Sequence, residues 1–212
     1  MPRVKVVRRQ DAAPEVLAQY DQIFGPDRDP VAQPGTANGT VGDWWTTWAN
    51  VPGILKAFSA YPMAQAPLEP QLRELAIVRT GYARASHFVF SQHCKAARRN
   101  GVPEEKIRAV PYWTIAEVFT PAERAVLAYV DGLVLEGGRV HDAVFAALKA
   151  HLPDEHILML TYFVNMYVMH ATGTKALRLE FDDVPDRLVE IPAPPEPGVA
   201  DWRHAAERAE TS

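Results

Sequence analysis

Arg73-Glu74-Leu75-Ala76-Ile77-Val78-Arg79, followed after a short gap by Ser86-His87-Phe88-Val89-Phe90-Ser91-Gln92-His93-Cys94-Lys95-Ala96-Ala97-Arg98-Arg99-Asn100-Gly101, decides the fold of this chain. Pro70 suits an opening helical turn, and Leu72, Leu75, Ala76, Arg79, Tyr82 and Ala83 recur at helical spacing, tracing one face. In the second segment Ser86 is placed to cap a helix. Val89, His93, Ala96 and Ala97 share a stripe, and Asn100-Gly101 before Pro103 supplies a left-handed stop. If the two helices run antiparallel about a turn near Ala85, Glu74 lies ~16 Å and His93 ~12 Å from that turn at a rise of about 1.5 Å per residue. Their side chains then meet across the interface.

The remaining chain also reads as helices. Asp11 is placed to cap one with Val16, Leu17, Tyr20, Ile23 and Phe24 as its stripe and Gly25-Pro26 as its end. Residues 25 to 42 show no period and are rich in Pro, Gly, Asp and Asn, the composition of a long connection. Trp44, Trp45 and Trp48 follow as an aromatic concentration that a solvent-facing helix does not carry, so they serve as core and subunit contact or as a pocket wall. Pro52 opens a helix with Ile54, Leu55 and Phe58, and the prolines from Pro62 to Pro70 break it. After Gly101 a short helix fails by Pro111. Thr120-Pro121-Ala122-Glu123 is a capping box that opens a helix ended by Gly137-Gly138, and Val144, Phe145 and Leu148 mark the next. Pro153-Asp154 opens a long helix from about His156 to Thr172 that is apolar nearly all round, hence central in the domain or pressed into a subunit interface. Pro185, Pro192, Pro194, Pro195 and Pro197 make the rest an extended arm or a disordered tail. The expected architecture is all-α and single-domain: residues 1–67 packed on a helical core of 68–182, then a Pro-rich tail of 183–212.

A net charge of −4 with both signs spread along the chain leaves no basic footprint for nucleic acid, and no apolar run is long enough to cross a membrane. One cysteine, Cys94, allows no internal disulfide, and the N-terminus lacks a secretory leader pattern, which makes the cytoplasm the expected compartment. Gly-rich phosphate loops after a strand, nucleophile elbows, Cys-x-x-Cys and His-x-x-x-His are all missing from the sequence. His87 and His93 are six apart and fall on different faces, so no metal is expected. His93 on an apolar stripe is either a core histidine paired with Glu74 or a proton-transfer residue. Cys94 points about 100° away from it and reads as buried and structural.

The Arg-Glu-Leu opening, a glutamate ahead of Ser86, His93 after it and the Ala-Ala-Arg-Arg-Asn-Gly ending resemble the carboxymuconolactone decarboxylase family, which includes the AhpD-like alkylhydroperoxidases. The resemblance runs from about Leu68 to Asp182. It implies an AhpD-like helical bundle and a cofactor-free lyase or isomerase acting on a small carboxylate or lactone. In that reading Glu74 orients His93 as general acid and base, and Arg73, Arg79, Ser86, Tyr167 and Trp48 contact the substrate. The peroxidase branch of the family carries Cys-x-x-Cys-x-x-x-His, where this chain has Ser86, Val89 and His93, so a peroxidase or thiol oxidoreductase is disfavoured. A non-enzymatic oligomer that binds a small aromatic or apolar ligand on Trp44, Trp45 and Trp48 is the remaining alternative. The apolar last helix, the tryptophans and the arm together lead us to expect a homo-oligomer, a dimer, trimer or hexamer.

Overall fold

The computed structural model describes residues 2–36, 39–40, 42–59 and 67–179. Nine α-helices are found among them: α1 (Pro14–Phe24), α2 (Gly42–Trp48), α3 (Pro52–Ser59), α4 (Pro70–Ala83), α5 (His87–Arg99), α6 (Glu104–Ala109), α7 (Pro121–Val134), α8 (Asp142–Lys149) and α9 (Asp154–Leu177). In the connection after α1, Gly35–Thr36 pairs antiparallel with Gly39–Thr40, a two-residue ladder that leaves the all-α character intact. The expected tail of 183–212 lies outside the described residues.

Local chemistry sets most helix ends as expected. Thr120 accepts the Glu123 amide while the Glu123 carboxylate accepts the Thr120 amide, and Pro121 occupies the first turn of α7. Ser86 accepts the Val89 amide at 3.3 Å and caps α5, and Gly101 takes the left-handed φ of +81° after it. Two expectations are corrected. Asp11 belongs to a 3-10 turn, and α1 starts at Pro14 behind Ala13, because proline at the first helical position needs no capped N–H. Helix α9 outruns its expected end at Thr172, since Gly173 is an interior helical residue and the left-handed stop comes at Arg178.

Helix α4 is the axis of the fold. Leu72, Ala76 and Ile77 join one apolar cluster with residues of α7 and α9. Leu75 and Val78 join a second with Phe90, Cys94, Ile107 and Leu127, and a third cluster ties α1 to α3. Every residue from Leu72 to Gly81 is buried. The sequence suggests one buried face, yet α4 can be enclosed all round because its polar groups find partners inside. Arg79 donates to both carboxylate oxygens of Asp131 on α7 (2.6 and 3.0 Å) and to the Val110 carbonyl, Trp113 donates to the same Asp131, and Thr80 donates to the Ala76 carbonyl.

Helices α4 and α5 pack so tightly that a Cβ on Gly81 would sit 2.7 Å from the Phe90 amide nitrogen. Backbone cannot yield as a side-chain tip can, so Gly81→Ala should destabilise the protein by about 1–3 kcal/mol despite alanine's better helix propensity. Denaturant unfolding measures this, and an unchanged midpoint would show that the two helices separate freely.

Candidate functional site

Antiparallel packing of α4 and α5 brings Glu74 and His93 together. Glu74 Oε2 lies 2.8 Å from His93 Nδ1, and Glu74 Oε1 accepts from Arg73 Nε and Nη2 at 3.2 Å each. The carboxylate is enclosed, with 1 % of Glu74 exposed, whereas the His93 side chain keeps 12 % of its surface. Burial alone would raise the Glu74 carboxyl. The charge and hydrogen bond of His93, joined by those of Arg73, outweigh burial and hold it below the ordinary range. An ionised Glu74 can only accept, so His93 Nδ1 carries the hydrogen and Nε2 is left to take or give a proton.

An aromatic wall extends from this pair. The His93 imidazole meets Tyr167 of α9 edge to face, with ring centroids 4.3 Å apart, and Tyr167 in turn meets His170 at 5.0 Å. His170 is tilted against Trp44 of α2 at 4.4 Å and set edge-on to Phe58 of α3 at 5.5 Å. Only 7 % of His170 is exposed, and burial, reinforced by the charge of His93, lowers its pKa to about 3, which makes it a neutral imidazole at physiological pH. Four helices thus converge on one line of rings ending at a carboxylate.

The expected site residues separate into two groups. Glu74, Arg73, His93 and Tyr167 are brought together. Trp48 stands at the far end of the ring line, packed on Trp44 and Phe58 with centroids 5.6 and 5.2 Å away. Arg79 is turned to the α7 side and held by Asp131, and Ser86 is buried as the α5 cap. Cys94 is buried in the cluster opposite the site, and His87 is exposed at the start of α5. Among the described residues no three His, Cys, Asp or Glu gather where a metal ion could be held. The sequence does not single out Phe58 or His170 as walls of the site. The signal that points to His170 is its spacing, one turn from Tyr167 on an otherwise apolar helix.

Comparison with known proteins agrees with this architecture. Residues 52–132 match the carboxymuconolactone decarboxylase family. Over 102 residues the chain is 24 % identical to the uncharacterised protein YdfG of Bacillus subtilis (strain 168), covering 48 % of this chain and 69 % of YdfG. The alkylhydroperoxidase AhpD core structure of a peroxidase-related protein from Ralstonia eutropha JMP134 superposes with a TM-score of 0.67 at 17 % identity, over 86 % of this chain and 93 % of that one. The debrominase Bmp8, solved in complex with 2,3,4-tribromopyrrole, superposes with a TM-score of 0.64 at 16 % identity, over 84 % and 90 %. Among the described residues no helix is long and apolar enough to cross a membrane.

Proposed function

We propose, for a chain that belongs to the carboxymuconolactone decarboxylase family, that it is an enzyme moving protons on a small unsaturated lactone or carboxylate, with His93 as the general acid and base and Glu74 as its orienting partner. The observation that carries this reading is the 2.8 Å contact from a partly exposed imidazole to a carboxylate enclosed by the fold. A carboxylate in that position fixes the tautomer with hydrogen on Nδ1 and leaves Nε2 to take and return a proton. In decarboxylation the bond to the carboxylate carbon breaks, its electron pair remains on the substrate as a dienolate, and His93 Nε2 delivers a proton to carbon. In isomerisation the same nitrogen removes a proton from one carbon and returns it to another. The proposed chemistry needs no cofactor. Tyr167, packed across the imidazole, keeps the ring from turning away and offers the substrate an apolar edge.

Ser86 and Val89 occupy the positions of the thiol pair in the peroxidase branch, and neither can form a disulfide. The test is exchange in heavy water. Incubated with a panel of unsaturated lactones and their acids, the wild type should place deuterium on carbon or release carbon dioxide for at least one of them, and His93→Gln should do neither. Turnover of peroxide with a thiol reductant, lost in Cys94→Ser, would replace this reading with a redox one.

A further inference from the structure

The charges beside His93 cancel within the fold, before any substrate arrives. Glu74 supplies one negative charge and Arg73 one positive charge, joined through Nε and Nη2 at 3.2 Å each. Both side chains are buried, and the Arg73 guanidinium also lies over the Phe163 ring, 5.9 Å from its centroid. The other arginines at this end of the sequence motif face elsewhere. Arg79 is committed to Asp131 of α7, and Arg84 reaches Thr172 at 3.4 Å, on the exposed side of α9 and about 140° around that helix from Tyr167. Among the described residues Arg73 is therefore the cation that touches the site, and Glu74 already answers its charge.

The rest of the wall disfavours charge of either sign. Tyr167, His170, Trp44 and Phe58 are all buried, and each ring rests on the next. His170 is a gauge of this surface, because burial among those rings keeps its imidazole neutral down to about pH 3. A ligand carboxylate laid on the same rings would lose its water in the same way, and it would stand close to the Glu74 carboxylate as a like charge. Protonating His170 to meet it would bury two charges where the fold has none.

We propose that the substrate is an uncharged, flat, unsaturated lactone that the protein isomerises, and that a ligand bearing a carboxylate is excluded from the site. The inference rests on the proton-moving role assigned to His93, and it selects isomerisation over decarboxylation, since an uncharged lactone has no carboxylate to lose. His93 Nε2 takes a proton from the carbon next to the lactone carbonyl, and the electron pair of that C–H bond spreads into a planar dienolate. The imidazolium then returns the proton to the far end of the dienolate, and the double bond moves into conjugation with the carbonyl. No group leaves and nothing is oxidised or reduced. The negative charge exists only in the intermediate, beside the imidazolium formed with it, so the net charge of the site is unchanged at every step.

Three ligands of one skeleton test this on the full-length wild type: α-angelica lactone, the analogue whose methyl group carries a carboxylate, and the methyl ester of that analogue. Quenching of tryptophan emission, to which Trp44 on His170 contributes, reads their binding without turnover. The lactone and the ester should bind, and the carboxylate should bind roughly a hundredfold more weakly than its ester. Glu74→Gln removes the negative charge that faces Arg73 and should narrow this gap roughly tenfold, which exclusion by size would not do. A carboxylate that binds as tightly as its ester overturns the inference, as does a failure of all three to bind at millimolar concentration. An unchanged gap in folded Glu74→Gln overturns it too. In heavy water the wild type, but not His93→Gln, should move the double bond of at least one uncharged lactone in the panel. Binding with the expected gap but no such conversion overturns the reaction assigned to His93 and the isomerisation with it. Conversion of the carboxylate in preference to its ester, lost in His93→Gln, keeps that reaction and overturns the present inference alone.

Discussion

Glu74→Gln and His93→Gln should each lower turnover by about a hundred- to ten-thousand-fold, and the double variant should be little worse than either, because the two side chains act as one unit. The reason lies in what each can still do alone. A glutamine at 74 can accept the Nδ1 hydrogen and keep the ring in place, but it places no charge beside the ring and leaves Arg73 facing a neutral amide. A glutamine at 93 removes the titrating nitrogen and leaves Glu74 with Arg73 only. Both changes also cost stability, roughly 3–5 kcal/mol where a buried charge loses its partner. Melting curves therefore cannot separate a working pair from a structural one. The deciding measurement is exchange or ligand affinity on each variant well below its melting temperature. Unchanged values in both would reduce Glu74 and His93 to a core ion pair.

That pair is legible in the sequence because it rests on local rules. Ser86 caps α5, Gly101 stops it, and the turn at Ala85 makes α4 and α5 run back on each other, so a helical rise alone puts Glu74 within about one turn of His93. Gly81 then brings the helices close enough for a hydrogen bond. The roles of Arg73 and Arg79 cannot be read in the same way. Both lie on α4 within the quoted stretch, and which one reaches the site depends on Asp131, more than fifty residues later in the chain. Trp48 is legible as part of an aromatic cluster, but its distance from His93 is set by Trp44, Phe58 and His170, which come from three helices.

The two central helices exchange the characters their sequences suggest. Helix α4 carries Arg73, Glu74, Arg79 and Thr80 yet is buried all round, whereas α9, apolar almost throughout, leaves one face open. Apolar periodicity registers a charge as a sign of exposure, and it cannot register that the charge has an internal partner. In the same way it marks Leu158 and Met169 as residues to be covered, by the domain or by a subunit, and among the described residues both stay exposed. Of the buried charges of α4, Arg73 and Glu74 gather at His93 and Arg79 is held by Asp131, while α9 keeps Leu158, Tyr162 and Met169 exposed.

Lowering the pH should weaken this protein well before its carboxylates begin to protonate, and His170 should be the cause. The folded-state pKa of His170, about 3, lies below its ordinary 6.5. As pH falls through 6.5 the unfolded chain takes a proton on this residue, while the folded chain, which packs the ring on Trp44, Phe58 and Tyr167, does not. Stability contributed by the neutral ring is thus fully present above 6.5 and is lost on acidification at about 1.4 kcal/mol per pH unit until the folded pKa is reached. Glu74 adds a second loss lower down. Its carboxyl is held below the ordinary 4.5, so its contribution is present above that value and disappears as pH falls through the depressed one. The two windows can be told apart by substitution. His170→Phe, which keeps a ring in the aromatic box, should flatten the dependence of unfolding free energy on pH between 6.5 and 4.5 and leave the steeper acid limb in place. Urea titrations across that range give the slopes directly. A wild-type slope near zero between 6.5 and 4.5 would mean that His170 reaches water or another proton acceptor and that the aromatic box opens in solution.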